Sequence, residues 1–362
     1  MPRKRVIYQS EALFIGPTGS NSLTQLSRVQ TANYGFDITR QDVNQYGQLA
    51  AIDRVILEQP TVSLDFSYYA NSGQNEQALG FALSASQGAL ASILSGGKDI
   101  NNYYIYVSPE GTDANVDTTA GVTGAGGVNG RVIGIGNAGL TSYQLEAAVG
   151  GFPTVTVNAE GLNMKFYPAM TGFTPDVNPQ FGTANTSTAF GIPTPNTGDG
   201  FTALRPGDIS VSISGLGVNA SDLKIQSFTL GADIGRDPIQ QLGSKFAFSR
   251  EITFPVTVTA SFEAVIGDIG GSDNLGNALT DIICDDSRNY DLIFNLGVPS
   301  ANCDNSYTPY ALKYTLKGAK LDSQSFSSSI GDNKSVTMDF SAQIGGPNDT
   351  KKGLFIETNK LS

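Results

Sequence analysis

The chain repeats itself. Val29 to Phe66 aligns with Ile225 to Phe262 at a constant offset of 196, without a gap. Identities fall at Gln30/Gln226, Gly35/Gly231, Asp37/Asp233, Ile38/Ile234, Arg40/Arg236, Gln45/Gln241, Gly47/Gly243, Ala51/Ala247, Arg54/Arg250, Thr61/Thr257, Val62/Val258 and Phe66/Phe262. Matching resumes at offset 189 (Ala89, Leu90, Ile93 with Ala278, Leu279, Ile282) and at 187 (Asn102-Tyr103 with Asn289-Tyr290). It ends at 181, where Ala138, Leu140, Ser142, Gly150, Val155 and Thr156 match Ala319, Leu321, Ser323, Gly331, Val336 and Thr337. The offset falls only between matched elements, where loops of a duplicated unit shorten as the copies diverge. Whatever the fold is, it is built twice. Residues 1–165 form a first domain and 206–346 a second. Between them, 166–205 is a linker or inserted loop rich in Pro, Thr, Gly, Asn and Phe, and 347–362 is a C-terminal arm.

Each copy reads as strands. Thr61 to Ala70 alternates, with Val62, Leu64, Phe66 and Tyr68 on one face and Thr61, Ser63, Asp65 and Ser67 on the other. The second copy repeats this with Val256, Val258, Ala260 and Phe262 against Thr257, Thr259, Ser261 and Glu263. A period of two with β-branched residues predicts a half-buried strand. Tyr103–Val107 and Tyr290–Phe294 have the length of buried strands, and Thr154–Ala159 and Ser335–Ala342 are predicted to close each copy as its last strand. One short helix is predicted per copy, at Ala89–Leu94 and Ala278–Ile283, the first stopped by Gly96-Gly97. The fold class is therefore all-β with one short helix per copy, as two tandem β-sandwich or partial-barrel domains.

Composition narrows the chemistry. The 362 residues contain no histidine or tryptophan and 42 glycines; 22 Lys plus Arg against 33 Asp plus Glu give a net charge of −11. Without histidine there is no Ser-His-Asp or Cys-His pair and no His-ligated metal. An acidic chain is poorly suited to gripping phosphates. Cys284 and Cys303 are too few for a disulfide scaffold and are expected as thiols. No apolar run approaches the length of a membrane-spanning helix, and the basic start (Arg3, Lys4, Arg5) leads into a stretch too short and polar for a secretory segment, so an exposed arm and cytoplasmic folding are expected.

Several motifs are decoys. Gly134-Ile-Gly136-Asn-Ala-Gly139 spells a dinucleotide fingerprint, with Glu160 near the distance of a ribose-binding acid. The equivalent segment, Leu316–Ser325, has no such glycines and alternates like a strand, so dinucleotide binding is not expected. Asp281, Asp285 and Asp286 beside Cys284 lack the spacing of a calcium loop. The four Asn-x-Ser/Thr sequons carry no meaning without a secretion signal. The sequence implies no catalytic residue, no metal, no cofactor and no enzyme.

What it does offer is a retained set of polar residues between two strands: Asp37, Arg40, Gln45, Gly47 and Arg54, and again Asp233, Arg236, Gln241, Gly243 and Arg250. Retention at fixed spacing points to a shared geometric task. One reading is a loop making charge-assisted bonds to an adjacent subunit or ring. The other is an internal Asp–Arg bridge that fixes the loop within its own domain. Charge reversal at Arg40 or Arg236 separates them: the first reading expects lost assembly with a folded monomer, the second an unfolded monomer.

The run from Arg28 to Arg40, followed by Gln45-Tyr-Gly-Gln and the alternating strand Thr61–Tyr69, resembles major tail tube proteins of tailed bacteriophages. So does the order strand, long loop, strand, helix and three strands, and the ending Gly318–Gly345. The resemblance spans both copies and has no diagnostic short motif; the duplication and the 166–205 insert depart from it. It implies tube-type domains contributing strands to a continuous barrel around a lumen, six domains to a ring. In a duplicated member, three chains supply the ring with pseudo-sixfold symmetry. It further implies stacking of rings into a tube through a long loop and terminal arms, and a virion location in the tail after assembly in the host cytoplasm. The implied partners are other copies of the chain, a tape-measure protein, baseplate and tail-terminator proteins and, in a contractile tail, a sheath. Genomic DNA passes without specific binding, and no membrane is involved. The loop 108–130 and the insert are expected on the outer surface. Acidity then serves passage, since a neutral or negative lining repels phosphate.

Other functions remain open at this point. A baseplate tube, terminator or decoration protein, and a tube of a phage-derived contractile injection system, would share the fold. A tandem β-sandwich carbohydrate-binding module would normally display surface Trp, absent here.

Overall fold

Two strands of 18 residues each organise the molecule. The structure, a computed structural model, describes residues 11–18, 23–57, 60–107, 114, 131–167, 203–214, 223–243, 247, 249–266, 288–298, 310–329 and 333–360. The first half contributes strands β1 (Glu11–Pro17), β2 (Thr24–Gln25), β3 (Val29–Asp37), β4 (Arg40–Val43), β5 (Asp53–Ile56) and β6 (Thr61–Tyr69). Helices α1 (Gln74–Leu79) and α2 (Ala91–Leu94) follow, then β7 (Ile100–Val107), β8 (Arg131–Ala148), β9 (Thr154–Gly161) and β10 (Asn163–Tyr167). The second half contributes β11 (Ile209–Ser214), β12 (Leu223–Asp233), β13 (Arg236–Ile239), β14 (Ser249–Ile252) and β15 (Thr257–Ile266). It ends with β16 (Tyr290–Gly297), β17 (Tyr310–Ser327), β18 (Ser335–Gln343) and β19 (Gly353–Glu357).

The protein is all-β with short helices, as the alternation predicts. The long strand β8 serves two layers. Its first part pairs with β7 and β10, its second with β9. β17 does the same with β16 and β19, then β18. Both strands turn from one layer to the other at equivalent places. Asn137 has φ 50° and Gly318 has φ 69°, the left-handed region that Gly and Asn tolerate best. Each strand then carries a bulge at Thr141 or Asp322.

The repeat extends to register. β3 pairs with β6 and β12 with β15 at offset 196, each with a bulge at its glutamine, Gln30 or Gln226. That glutamine folds back in both copies, its amide donating to the carbonyl of Arg28 or Lys224 at 3.0 Å. The β6–β9 and β15–β18 registers agree with offsets 196 and 181. The β7 and β16 registers differ from the sequence match. Asn101 faces Ala138 while Tyr290 faces Ala319, which sets an offset of 189 rather than 187 and makes Arg288 the counterpart of Asp99. The Asn-Tyr identity at 187 is therefore coincidental.

Other expectations are corrected. β9 and β18 are not last strands, because β10 and β19 follow and pair with β8 and β17. The first copy holds two short helices, the unforeseen one beginning after Gly73 at φ 91°. The predicted helix at 278–283, both cysteines, Asp281, Asp285, Asp286, most of the insert and the loop 108–130 apart from Ala114 lie outside the described residues.

One core runs through both halves. Val62, Leu64, Phe66 and Tyr68 are buried to 2% exposure or less, as are Val258, Ala260 and Phe262. Burial of such side chains contributes roughly 1.5–3 kcal/mol each. The cluster continues into β12 through Phe228 and Leu230 and into β17 through Leu312, Tyr314 and Leu316 without interruption.

Candidate site at the joint between the copies

The two copies share a sheet. β12 lies antiparallel against the outer edge of β8, from Ser227 opposite Ala148 to Asp233 opposite Ser142. The ladder continues at both ends, with Ile234 N donating to Thr141 O at 2.8 Å and Val149 N to Gln226 O at 2.9 Å. The result is a run of eight strands in the order β3-β6-β9-β8-β12-β15-β18-β17.

The retained arm residues close this joint in the second copy. The Arg236 side chain is fully buried and pairs with Asp99 of the first copy. It also donates to the carbonyls of Leu140 at 2.7 Å and Arg250 at 3.2 Å. Arg250, 6% exposed, pairs with Glu160 of the first copy. Gly139 leaves room for this side chain: a Cβ on it would lie 2.5–2.7 Å from the Arg236 guanidinium, which would have to shift. Thus Gly139 and Glu160, which mimic a dinucleotide fingerprint in the sequence, are parts of an arginine seat.

The first copy's arm is built alike but faces solvent. β4 and β5 form a hairpin, as do β13 and β14. Arg40, Asp37 and Gln45 are exposed, and Arg54 pairs with Asp42 in its own hairpin at 2.6 Å, both partly exposed. Asp233, Gln241 and Gly243 are exposed in the second arm. Gly47 and Gly243 share φ near +90° (86° and 89°), which explains their retention as turn residues. The arm tips are apolar and fully exposed: Tyr46 at 105%, Leu49 at 109% and Leu242 at 103%. Neither reading of the arm describes a contact between the two copies of one chain, which is where Arg236 and Arg250 are placed. Arg54 makes a bridge within its own domain, while Arg236 and Arg250 reach an adjacent one.

A second seam, which the sequence did not indicate, lies beneath the joint. Glu76 of α1 is completely buried. Its Oε1 accepts bonds from the hydroxyls of Tyr68 at 2.8 Å and Tyr143 at 3.2 Å, with Tyr314 of the second copy at 3.5 Å. The Tyr143 and Tyr314 hydroxyls lie 2.8 Å apart. Burial pushes the Glu76 carboxyl up, against the opposing effect of these hydrogen bonds. Burial likewise raises all three tyrosines well above their ordinary range. Nearby, Ala89 N donates to Leu354 O at 2.7 Å and Leu83 forms a parallel bridge to Ile356, so the first copy covers the outer edge of β19.

The face of the eight-stranded run opposite the core is polar. Across its strands the register aligns Asn33, Asp65, Asn158, Ser142, Asp233 and Thr257 in one row. Hydroxyl contacts knit the face together, including Thr31–Ser67 at 2.6 Å and Ser327–Ser335 at 2.6 Å. Ser261 and Ser323 donate to Asp339 and hold its carboxyl below the usual range. No group of three or more metal-ligating side chains occurs among the described residues.

No protein-family model matches the chain, and no curated protein matches it. Several solved structures are similar to parts of it, among them these two. One is a chain of the anti-feeding prophage baseplate, at 10% identity over 46% of this chain and 98% of that one, with a TM-score of 0.30. The other is a chain of the SPP1 tail tube, at 12% identity over 46% of this chain and 82% of that one, also with a TM-score of 0.30.

Proposed function

We propose that this chain is a non-enzymatic structural protein of a phage tail, whose copies close into rings that stack as the tail tube. One observation carries the reading. Within a single chain the second copy already extends the sheet of the first, and equivalent edges remain unpaired at the ends among the described residues: β3 on one side, the second half of β17 on the other. Open edges of this length are normally covered in a native protein. A neighbour repeating the in-chain joint would set Asp37 opposite Ser323 and Thr31 opposite Ser329. Such a head-to-tail contact closes into a ring when the rotation allows. Three chains would supply the six domains that the sequence resemblance implies.

Two further features suit a conduit. The polar face, with hydroxyls, amides and carboxylates such as Asp65, Glu146, Glu263 and Asp339, would line a lumen that repels DNA phosphate. The apolar arm tips would stack one ring on the next. The tape-measure protein would occupy the lumen before ejection, and terminator and baseplate proteins would cap the ends. A ring-forming terminator, a baseplate tube and an injection-system tube are the alternatives, separated by whether rings polymerise and in what particle. Electron microscopy of the purified protein tests the proposal. Stacked rings with an open lumen support it; isolated single rings favour a terminator, and persistent monomers at high concentration sink it.

A further inference from the structure

The second layer of each copy ends on an equivalent strand. β10 pairs with β8 from Asn163 opposite Gly136 to Tyr167 opposite Val132. β19 pairs with β17 from Gly353 opposite Lys317 to Glu357 opposite Lys313. The offset of 181 that relates β8 to β17 carries each β8 partner onto the matching β17 partner, so Met164 corresponds to Leu354 and Phe166 to Ile356. The two strands share no identical residue, and register alone reveals the match.

The equivalent strands differ in what covers them. At β19, Ala89 N of the first copy donates to Leu354 O at 2.7 Å and Leu83 bridges to Ile356. Leu354 and Ile356 are buried there. β10 pairs with β8 alone among the described residues. Met164 packs against the core yet stays partly exposed, and Phe166 is 61% exposed. β10 thus keeps apolar side chains at the two positions that are covered in β19. An apolar strand edge left open in this way fits a cover supplied by another molecule.

Resting on the assembly reading above, we infer that a second copy of this chain covers the outer edge of β10 with the connection between its β15 and β16. The occupant follows from the seam within the chain. There, the connection between β6 and β7 of the first copy covers β19 of the second. Repeating the joint between chains sets the second copy's connection against the first copy of the next chain. That connection lies outside the described residues, but its sequence repeats the covering segment: Ala278, Leu279 and Ile282 match Ala89, Leu90 and Ile93. Ala89, Leu90 and Ile93 are all buried. Ala278 is the counterpart of the donor Ala89, and the Met164 carbonyl is the counterpart of its acceptor. The contact is apolar and made through the backbone, so it asks for no charged partner on either side.

Photocrosslinking in the full-length protein tests this. p-Benzoylphenylalanine takes the place of Phe166, isotopically light and heavy chains are mixed before assembly, and crosslinked peptides are mapped by mass spectrometry. The expected product joins position 166 of one chain to the peptide of another that holds Ala278 to Ile282. A product within one chain, to the insert between β10 and β11, would mean that the chain covers its own edge and overturns the inference. A product between chains at any other segment overturns it too, as does no product under conditions where sedimentation velocity detects association. Separately, Phe166→Asp should raise the midpoint concentration of self-association about tenfold, with little change in circular dichroism melting. An unchanged midpoint counts against the inference while leaving assembly intact. An unmodified chain that never associates sinks the assembly reading itself.

Discussion

Arg236→Ala should open the joint within a single chain, and Arg40→Ala, its counterpart, should not. The side chain of Arg236 is fully buried and its partner Asp99 retains 18% side-chain exposure. Removing one member of a buried ion pair costs about 3–5 kcal/mol, because the other charge is left uncompensated. Here water reaches part of Asp99, which lowers the loss. The Leu140 carbonyl, accepting at 2.7 Å, also loses its charged donor. We therefore expect a destabilisation of about 3 kcal/mol, the low end of that range. Arg40 is exposed on the first arm, so its removal should cause only the small change ordinary for surface positions. Urea unfolding followed by tyrosine fluorescence suits a chain with 14 Tyr and no Trp, at concentrations below assembly. The unfolding of Arg236→Ala should also lose cooperativity as the halves separate first. The reasoning is refuted if Arg236→Ala stays within about 1 kcal/mol of the unmodified chain, or if Arg40→Ala costs as much.

Other consequences can be measured separately. Gly139→Val should expel the Arg236 guanidinium and reproduce the loss seen for Arg236→Ala, with no additional loss in the double variant. Tyr143→Phe removes the hydroxyl linking Glu76 to Tyr314 and should cost about 1–2 kcal/mol in urea unfolding. The Glu76 carboxyl is raised by burial, so the folded state holds its proton more tightly than the unfolded state. Its contribution is most favourable below the unfolded value near 4.5 and declines as pH rises through the folded value; Glu76→Gln should abolish that decline in melting temperature. Replacing Tyr46 and Leu49 with Ser should leave melting unchanged but shorten any tubes to single rings in micrographs.

The sequence made the duplication, the strand alternation and the buried faces legible, because burial and pairing write a period of two into each copy. Positions retained between copies mostly report geometry common to both, such as the bulges at Gln30 and Gln226 and the turns at Gly47 and Gly243. The joint was harder to see for a physical reason. The joint is made once within the chain, so its chemistry sits where the copies differ: Gly139 against Lys320 and Glu160 against Ser341. A search for identities passes over such positions. The cluster of Glu76, Tyr68, Tyr143 and Tyr314 left no trace either, since its members come from four elements and no spacing links them.

Native mass spectrometry of the smallest closed assembly tests the central claim most directly, that each chain supplies two of the equivalent units in a ring. A ring of two-unit chains gives a discrete species of three chains of 38.0 kDa and its stacked multiples. A closed species of six chains, or an open ladder rising one chain at a time, would contradict it.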